Sequence, residues 1–360
     1  MSIAILGDVS FNGLIHSQPE FNTTRFQNIS KLLKNYSVVT ANLESPIKNG
    51  IEVNEYKEII NYSNYEVTKY LLKFLNINCL TLANNHIYDY KMSGLIATIN
   101  LLDELKILHT GAGWKEQHLD PIVLNYQHET IYIFSYVDLS TNPKTENYTD
   151  LYINYFNKEN AIKDIKKYKQ DKKDKVIFNI HWGVDYSRYY TKEQQSHARE
   201  LINNGVDLLI GHHSHTIQPY ELFKEKPIFY NMGQLCYGDF IWEGKLRSLR
   251  TKTKTGIILI INENINIETI IPTKELIGNY IILPGINIIR KLKLLRYVNI
   301  LKNKTRVFSL IIILKETLWD RLFDYFCGYY RSPLNNLLNL SNLKKISIII
   351  KDFKKHLNIL

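Results

Sequence analysis

The stretch Leu208-Leu209-Ile210-Gly211-His212-His213-Ser214-His215 places three histidines within four residues at the end of a short apolar run. An apolar run of this length, punctuated by glycine, reads as a buried β-strand. Packing does not account for the three imidazoles behind it. In an extended continuation His213 and His215 face the same way, two residues apart, which suits a pair of imidazole metal ligands.

Four upstream runs end in the same manner. Ile3 to Leu6 leads into "GDVS" with Asp8, Val38 to Ala41 into "NLESP" with Glu44, Cys79 to Leu82 into "ANNHIYD", and Val176 to Ile180 into "HWG" with His181. Taken singly these residues are ordinary: Asp8 reads as a turn former or helix cap, Glu44 as a surface acid, Asn84 as a cap, His181 as a hydrogen-bonded structural residue. Their common placement is what counts. In open α/β sheets the loops at the carboxyl ends of the strands converge on one crevice, where ligands bind. A carboxylate such as Glu44 can bridge two cations. The side-chain oxygen of Asn85 can ligate a cation, His86 beside it is placed to protonate a leaving group, and Asp89 to hold that ring in one tautomer.

The strand-like runs alternate with helical stretches near Phe26 to Lys34, Val67 to Phe74, Ser93 to Leu105, Glu159 to Tyr168 and Lys192 to Asn203, a β-α-β-α order. Beyond His215 the pattern turns β-rich in "PIFYNMG", "TGIILIINE" and "INIETIIPT", which predicts a second sheet packed on the first. The expected fold is α/β, a two-sheet αββα sandwich. The Lys-rich segment from Lys163 to Lys175 alternates with acids and reads as a solvated helix face.

With 360 residues, 45% of them hydrophobic, the chain can bury a sizeable core. Cys79, Cys236 and Cys327 are odd in number and far apart, so they build neither a disulfide framework nor a CxxC knuckle. The first apolar run begins at Ile3, which leaves no room for a conventional secretion signal before it and sets the expectation of a cytoplasmic protein. The net charge of +10 is uneven. Residues 285 to 360 hold 15 Lys and Arg against 4 Asp and Glu, so residues 1 to 284 hold 30 against 31. The near-neutral main part argues against nucleic acid as a partner. The expected division is a catalytic domain over 1–275 and a basic amphipathic, helical extension over 276–360. No run in the extension approaches the ~18 apolar residues of a membrane span. Its helices either cap the domain or lie at a membrane surface or on a partner.

Together and in this order, "GDVS", "NLESP", "ANNHIYD", "HWGVDYS" and "GHHSHTIQPYE" resemble the CapA-type capsule (poly-γ-glutamate) biosynthesis family, whose domain is similar to the calcineurin-like metallophosphatases. The resemblance covers about residues 2 to 270. It implies two divalent metal ions, of Mn, Fe or Zn, with Asp8 and His215 serving one, Asn85, His181 and His213 the other, and Glu44 bridging them. It also implies that His86, supported by Asp89, is the acid near the scissile bond. The activity it implies is a metal-dependent hydrolase or transferase acting on a phosphoester or on an amide of an acidic polymer. The alternative is an accessory subunit of a capsule-assembly complex that docks on a membrane-bound synthase through residues 285–360, at the inner face of the membrane. Two positions depart from the expected patterns: Ser10 stands where metallophosphatases usually place a metal-binding His, a loss that CapA-type proteins generally share, and Gln234 follows Gly233 where the family usually has Asn.

Overall fold

The computed structural model describes residues 2–300 apart from 16–18, 58, 128, 144–150, 243–244, 248–252, 277–278, 284–287, 289–291, 294 and 297–298. One sheet runs in the order Asn279–Ile282, Ile267–Leu276, Thr255–Asn262, Ser2–Val9, Val38–Leu43, Cys79–Thr81, Leu108–Thr110, with Gln234–Cys236 also paired to Ser2–Val9. From Ser2–Val9 to Leu108–Thr110 the strands are parallel; the three C-terminal ones are antiparallel. The other sheet runs Tyr220–Phe223, Lys226–Phe229, Leu208–His212, Lys175–His181, Glu129–Val137, Ile122–Tyr126. Its four central strands are parallel and both edges antiparallel.

Side-chain alternation along the strands produces the layers. In the first strand Ile3 and Ile5 face the second sheet, meeting Ile133, Ile177, Leu208 and Ile210 in the middle layer. Ala4 and Leu6 face outward onto Phe26, Ile29, Leu71 and Ile99 of the helices Pro19–Leu33, Tyr65–Phe74 and Lys91–Glu104. On the far side, Val176 and Phe178 pack under Ala161, Ile165, Ala198 and Leu201 of the helices Lys158–Tyr168 and Lys192–Asn203. Strands buried on both faces are apolar throughout, which is why they read as continuous runs. Polar side chains set where helices begin. The Asn64 side chain accepts from the N–H groups of Glu66 and Val67, and Thr191 and Gln194 form a reciprocal capping box.

The αββα sandwich is as expected, but the sheets are not divided at His215. Lys226–Phe229 joins the sheet already built by Lys175–His181 and Leu208–His212, whereas Thr255–Asn262 and Ile267–Leu276 extend the first sheet beside Ser2–Val9. Periodicity identifies a strand and says nothing of its partner. The hairpin Ile122–Tyr126 with Glu129–Val137 was not anticipated, although "IVLNY" alternates buried and exposed residues as an edge strand does. In the Lys163 to Lys175 segment, Lys163, Lys166, Lys167, Lys172 and Lys173 are exposed while Ala161 and Ile165 face the core.

The first sheet continues past 275. Tyr280 in the edge strand stacks on Phe26 with ring centroids 4.3 Å apart. Ile288 and Leu292 lie in the layer between the sheets, and the Arg296 guanidinium is 3.4 Å from Glu221. Residues 301–360, and with them most of the basic extension, lie outside the described residues. Among the described residues no helix is long and apolar enough to cross a membrane.

A charge cluster around the buried Asp207 ties the second sheet to its helices. Asp207 accepts from Lys169 Nζ at 2.6 Å, Lys226 Nζ at 2.7 Å and the Val176 N–H at 2.9 Å. Burial pushes its carboxyl up, but the bonds from Lys169 and Lys226 outweigh burial and hold it below the ordinary value of 3.8. A depressed folded-state value means that the stabilisation is complete above the unfolded-state value and is lost as pH falls through the folded one. Asp207→Asn should therefore lower unfolding stability at neutral pH by about 1–3 kcal/mol. Urea denaturation should show the gap from wild type closing once the pH drops below about 4.

Candidate metal centre

The strands run one or two residues further than their apolar cores suggest, so several polar residues sit on the strands themselves. Asp8 lies within Ser2–Val9, not beyond it, paired in register with Asn42 on one side and Gln234 on the other. His181 and His212 are the last residues of adjacent parallel strands and face each other in register. Gly211, next to His212, admits the backbone on the other side of the strand: a Cβ there would stand 1.8 Å from the Tyr230 carbonyl oxygen.

The extended continuation through His213 and His215 is not what the structure has. Their φ angles are 94° and 54°, in the left-handed region that non-glycine residues seldom occupy. The strand ends at His212 and the chain coils, and the two rings are tilted by 47° with centroids 6.4 Å apart. One consequence is that each joins a different group. Ligand atoms of Glu44, His181 and His213 lie within 4.8 Å of one another, and so do those of Asp8, Glu44 and His215. Glu44 Oε1 is 3.7 Å from His181 Nε2 and 3.4 Å from His215 Nε2, and Asp8 Oδ2 is 3.8 Å from His215 Nδ1. Asn85 Oδ1 is 2.9 Å from His181 Nε2. All six expected ligand positions are thus brought together.

The surrounding residues fix this set. Asp8 Oδ1 accepts from Asn42 Nδ2 at 2.9 Å and Oδ2 from the His213 N–H at 3.1 Å, with His212 Nδ1 2.9 Å from Oδ1. His212 Nε2 is 3.2 Å from Asn179 Oδ1. Asp185, at the exposed rim, stands 3.3 Å from His213 Nε2. Asn84 donates to the Leu43 carbonyl and accepts from the His86 N–H, which shapes the turn. His86 Nδ1 is 2.6 Å from Asp89 Oδ2. An ionised carboxylate only accepts, so this contact puts the ring proton on Nδ1 and leaves Nε2 at the opposite corner. Ser10 is buried and its Oγ accepts from Asn61 Nδ2 at 3.3 Å, forming part of a polar wall. Asn42, Lys57 and Asp185 had no place in the sequence reading. Asn42 opens the "NLESP" motif, but nothing local marks Lys57, which lies in a loop and reaches Asp89 at 3.3 Å.

The electrostatics suit a cation. Burial pushes the Glu44 carboxyl well above its ordinary value, and the Asp8 charge adds to the rise. Burial would also raise Asp8, yet His212 foremost, then His181 and His215, hold it low. Burial presses His181 well down, His213 to about 3 and His215 to about 4, so these rings are neutral and offer lone pairs. Both Glu44 oxygens are buried without a hydrogen-bond partner, as are His213 Nδ1 and His215 Nδ1. Orphaned carboxylate oxygens facing neutral imidazoles, a mixed N and O donor set, fit a divalent cation.

The bacterial capsule synthesis protein family, PGA_cap, matches residues 2–239, the span that carries every one of these side chains. The chain belongs to that family. Among relatives within it, the capsule biosynthesis protein CapA of Bacillus anthracis is 29% identical over 59% of this chain and 53% of its own length. The PGA biosynthesis protein CapA of Bacillus subtilis is 26% identical over 66% of this chain and 63% of its own. A probable polyglutamine synthesis accessory protein of Mycobacterium tuberculosis is 27% identical over 51% of each chain. The chain spans less than two thirds of the length of these relatives. Among solved structures, the NAD nucleotidase of Haemophilus influenzae aligns with 90% of this chain and 60% of its own at 15% identity, with a TM-score of 0.44.

If Glu44 is the shared ligand, Glu44→Gln separates charge from shape. Without added metal the variant should be at least as stable as the wild type, because an uncompensated buried carboxylate becomes a neutral amide. Titrating Mn²⁺ or Zn²⁺ should raise the wild-type Tm, by about 2.7 kcal/mol of stability at a hundred times Kd, and the variant should lose most of that rise. Differential scanning fluorimetry reads both.

Proposed function

We propose that this chain is a metal-dependent hydrolase or transferase of capsule or poly-γ-glutamate production, working through two divalent cations. Asp8 and His215 would hold one, Asn85, His181 and His213 the other, and Glu44 both. The observation that carries this reading is that one fully buried, unpartnered carboxylate, Glu44, belongs to both ligand groups. When bound, such cations supply Lewis acidity and neutralise the negative charge that develops on a transferred phosphoryl or acyl group. The remaining work falls to the chain. His212 and Asn42 hold Asp8 in place, Asn84 shapes the turn that presents Asn85 and His86, and Asp89 keeps the His86 proton on Nδ1. With Nδ1–H held by the Asp89 carboxylate, a second proton taken up at Nε2 makes the imidazolium, and His86 Nε2 gives that proton to the leaving group, which returns the ring to its neutral Nδ1–H form. Either a phosphoester or an amide of an acidic polymer can be served by these parts; the names of the relatives favour the polymer.

A second reading is an accessory subunit of a capsule-assembly complex, docked through residues 285–360. Ser10 favours it, because a hydroxyl already bonded to Asn61 is a poor substitute for an imidazole ligand.

Metal analysis separates the two. The enzyme reading expects close to two tightly held transition-metal ions per chain by plasma mass spectrometry, and fewer than one would sink it. On a panel of phosphoesters and γ-glutamyl amides, His86→Ala should lower kcat by about 10²–10⁴-fold on substrates with poor leaving groups. Equal rates on every substrate turned over would remove His86 from the acid role.

A further inference from the structure

The loop between Val38–Leu43 and the helix Tyr65–Phe74 fastens onto one aspartate from three positions. The Asn54 N–H donates to the Asp89 backbone carbonyl at 2.9 Å and the Asn61 N–H to Asp89 Oδ2 at 2.6 Å. Between them Lys57 places its ammonium 3.3 Å from Asp89 Oδ1 and 3.4 Å from His86 Nδ1, and donates to the Asn85 carbonyl oxygen. The Lys57 side chain is 6% exposed. A lysine seldom sits this deep without a specific partner.

We propose that Lys57 is a positioning residue for His86, a role that rests on His86 being the acid. Asp89 Oδ2 already takes two donors, the His86 ring and the Asn61 N–H. Its Oδ1 accepts no hydrogen bond, and Lys57 is the cation that faces it among the described residues. Without that ammonium a buried carboxylate oxygen stands uncompensated, which costs several kcal/mol in a low-dielectric interior. The carboxylate then gains by rotating toward another donor, and rotation takes Oδ2 away from the ring. Lys57 also grips the carbonyl of the peptide that joins Asn85 to His86. The ring is therefore held at two places by one cation: at its Nδ1 through Asp89, and at its backbone through Asn85. Because the ammonium is enclosed by protein partners, it acts through His86 and does not meet the substrate.

The test uses the full chain with ¹⁵N-labelled histidine. The Nδ1 proton that His86 shares with Asp89 gives a downfield resonance, assigned by its loss in His86→Ala. Lys57→Met should shift that resonance or broaden it away while circular dichroism shows a folded chain, and Lys57→Arg should restore it in part. On a substrate that the wild type turns over, Lys57→Met should lower kcat about 10- to 100-fold with KM little changed, since a displaced acid affects the transition state more than binding. An unchanged His86 resonance in folded Lys57→Met overturns the proposal. Should that variant fail to fold, Lys57→Gln, which keeps a donor for Asn85 and removes the charge from Asp89, is judged by the same resonance. A wild type without turnover on any substrate would sink the hydrolase reading and leave the resonance experiment standing.

Discussion

Two carboxylates, Asp8 and Glu44, sit fully buried where the carboxyl ends of both sheets meet, and this is the constraint on which the rest depends. Burial at that depth costs several kcal/mol per charge unless it is compensated. The chain compensates unequally. Asp8 has Asn42, His212 and the His213 N–H around it, whereas Glu44 has neutral imidazoles at distances too long for hydrogen bonds. That inequality marks Glu44 as the place where an external positive charge is wanted. It also explains the second layer of polar residues, because a carboxylate left to turn freely would satisfy itself with its neighbours.

The site draws on both sheets. Asp8 lies on a strand of the first sheet and Glu44 and Asn85 follow its strands, while His181 ends a strand of the second and His213 and His215 follow another. Their meeting depends on the middle apolar layer, in which Ile3 and Ile5 face Ile177 and Ile210. Core packing and site geometry are thus a single problem: the separation of the sheets is the separation of the ligands.

Much of this was legible in the sequence because two signals coincide. Strands buried on both faces appear as unbroken apolar runs, and each of five such runs is followed by residues with ligating atoms. That pairing led to the layered fold and to six candidate ligand residues that lie close together. Three things escaped it. Thr255–Asn262 pairs with the first strand and Lys226–Phe229 with the second sheet, and nothing in their similar compositions distinguishes the two destinations. The backbone at His213 and His215 enters the left-handed region, which a pattern of polar and apolar residues does not encode. Lys57 and Asp185 act from loops, where their value comes from what lies across the fold and not from their neighbours in the chain.

Ser2–Val9, the earliest of the described strands in chain order, lies in the interior of its sheet with a late partner on one side. It pairs with Thr255–Asn262, and Asp8 takes a hydrogen bond from a backbone 205 residues further on. At translation rates of roughly 5–20 residues per second, that partner appears on the order of ten to forty seconds after Asp8. Throughout that interval the nascent chain carries an apolar strand with an open edge and a carboxylate that has no place yet to be buried. A strand interior to the first sheet thus keeps an open edge until late in synthesis, and the interval before closure is when a chaperone would matter most.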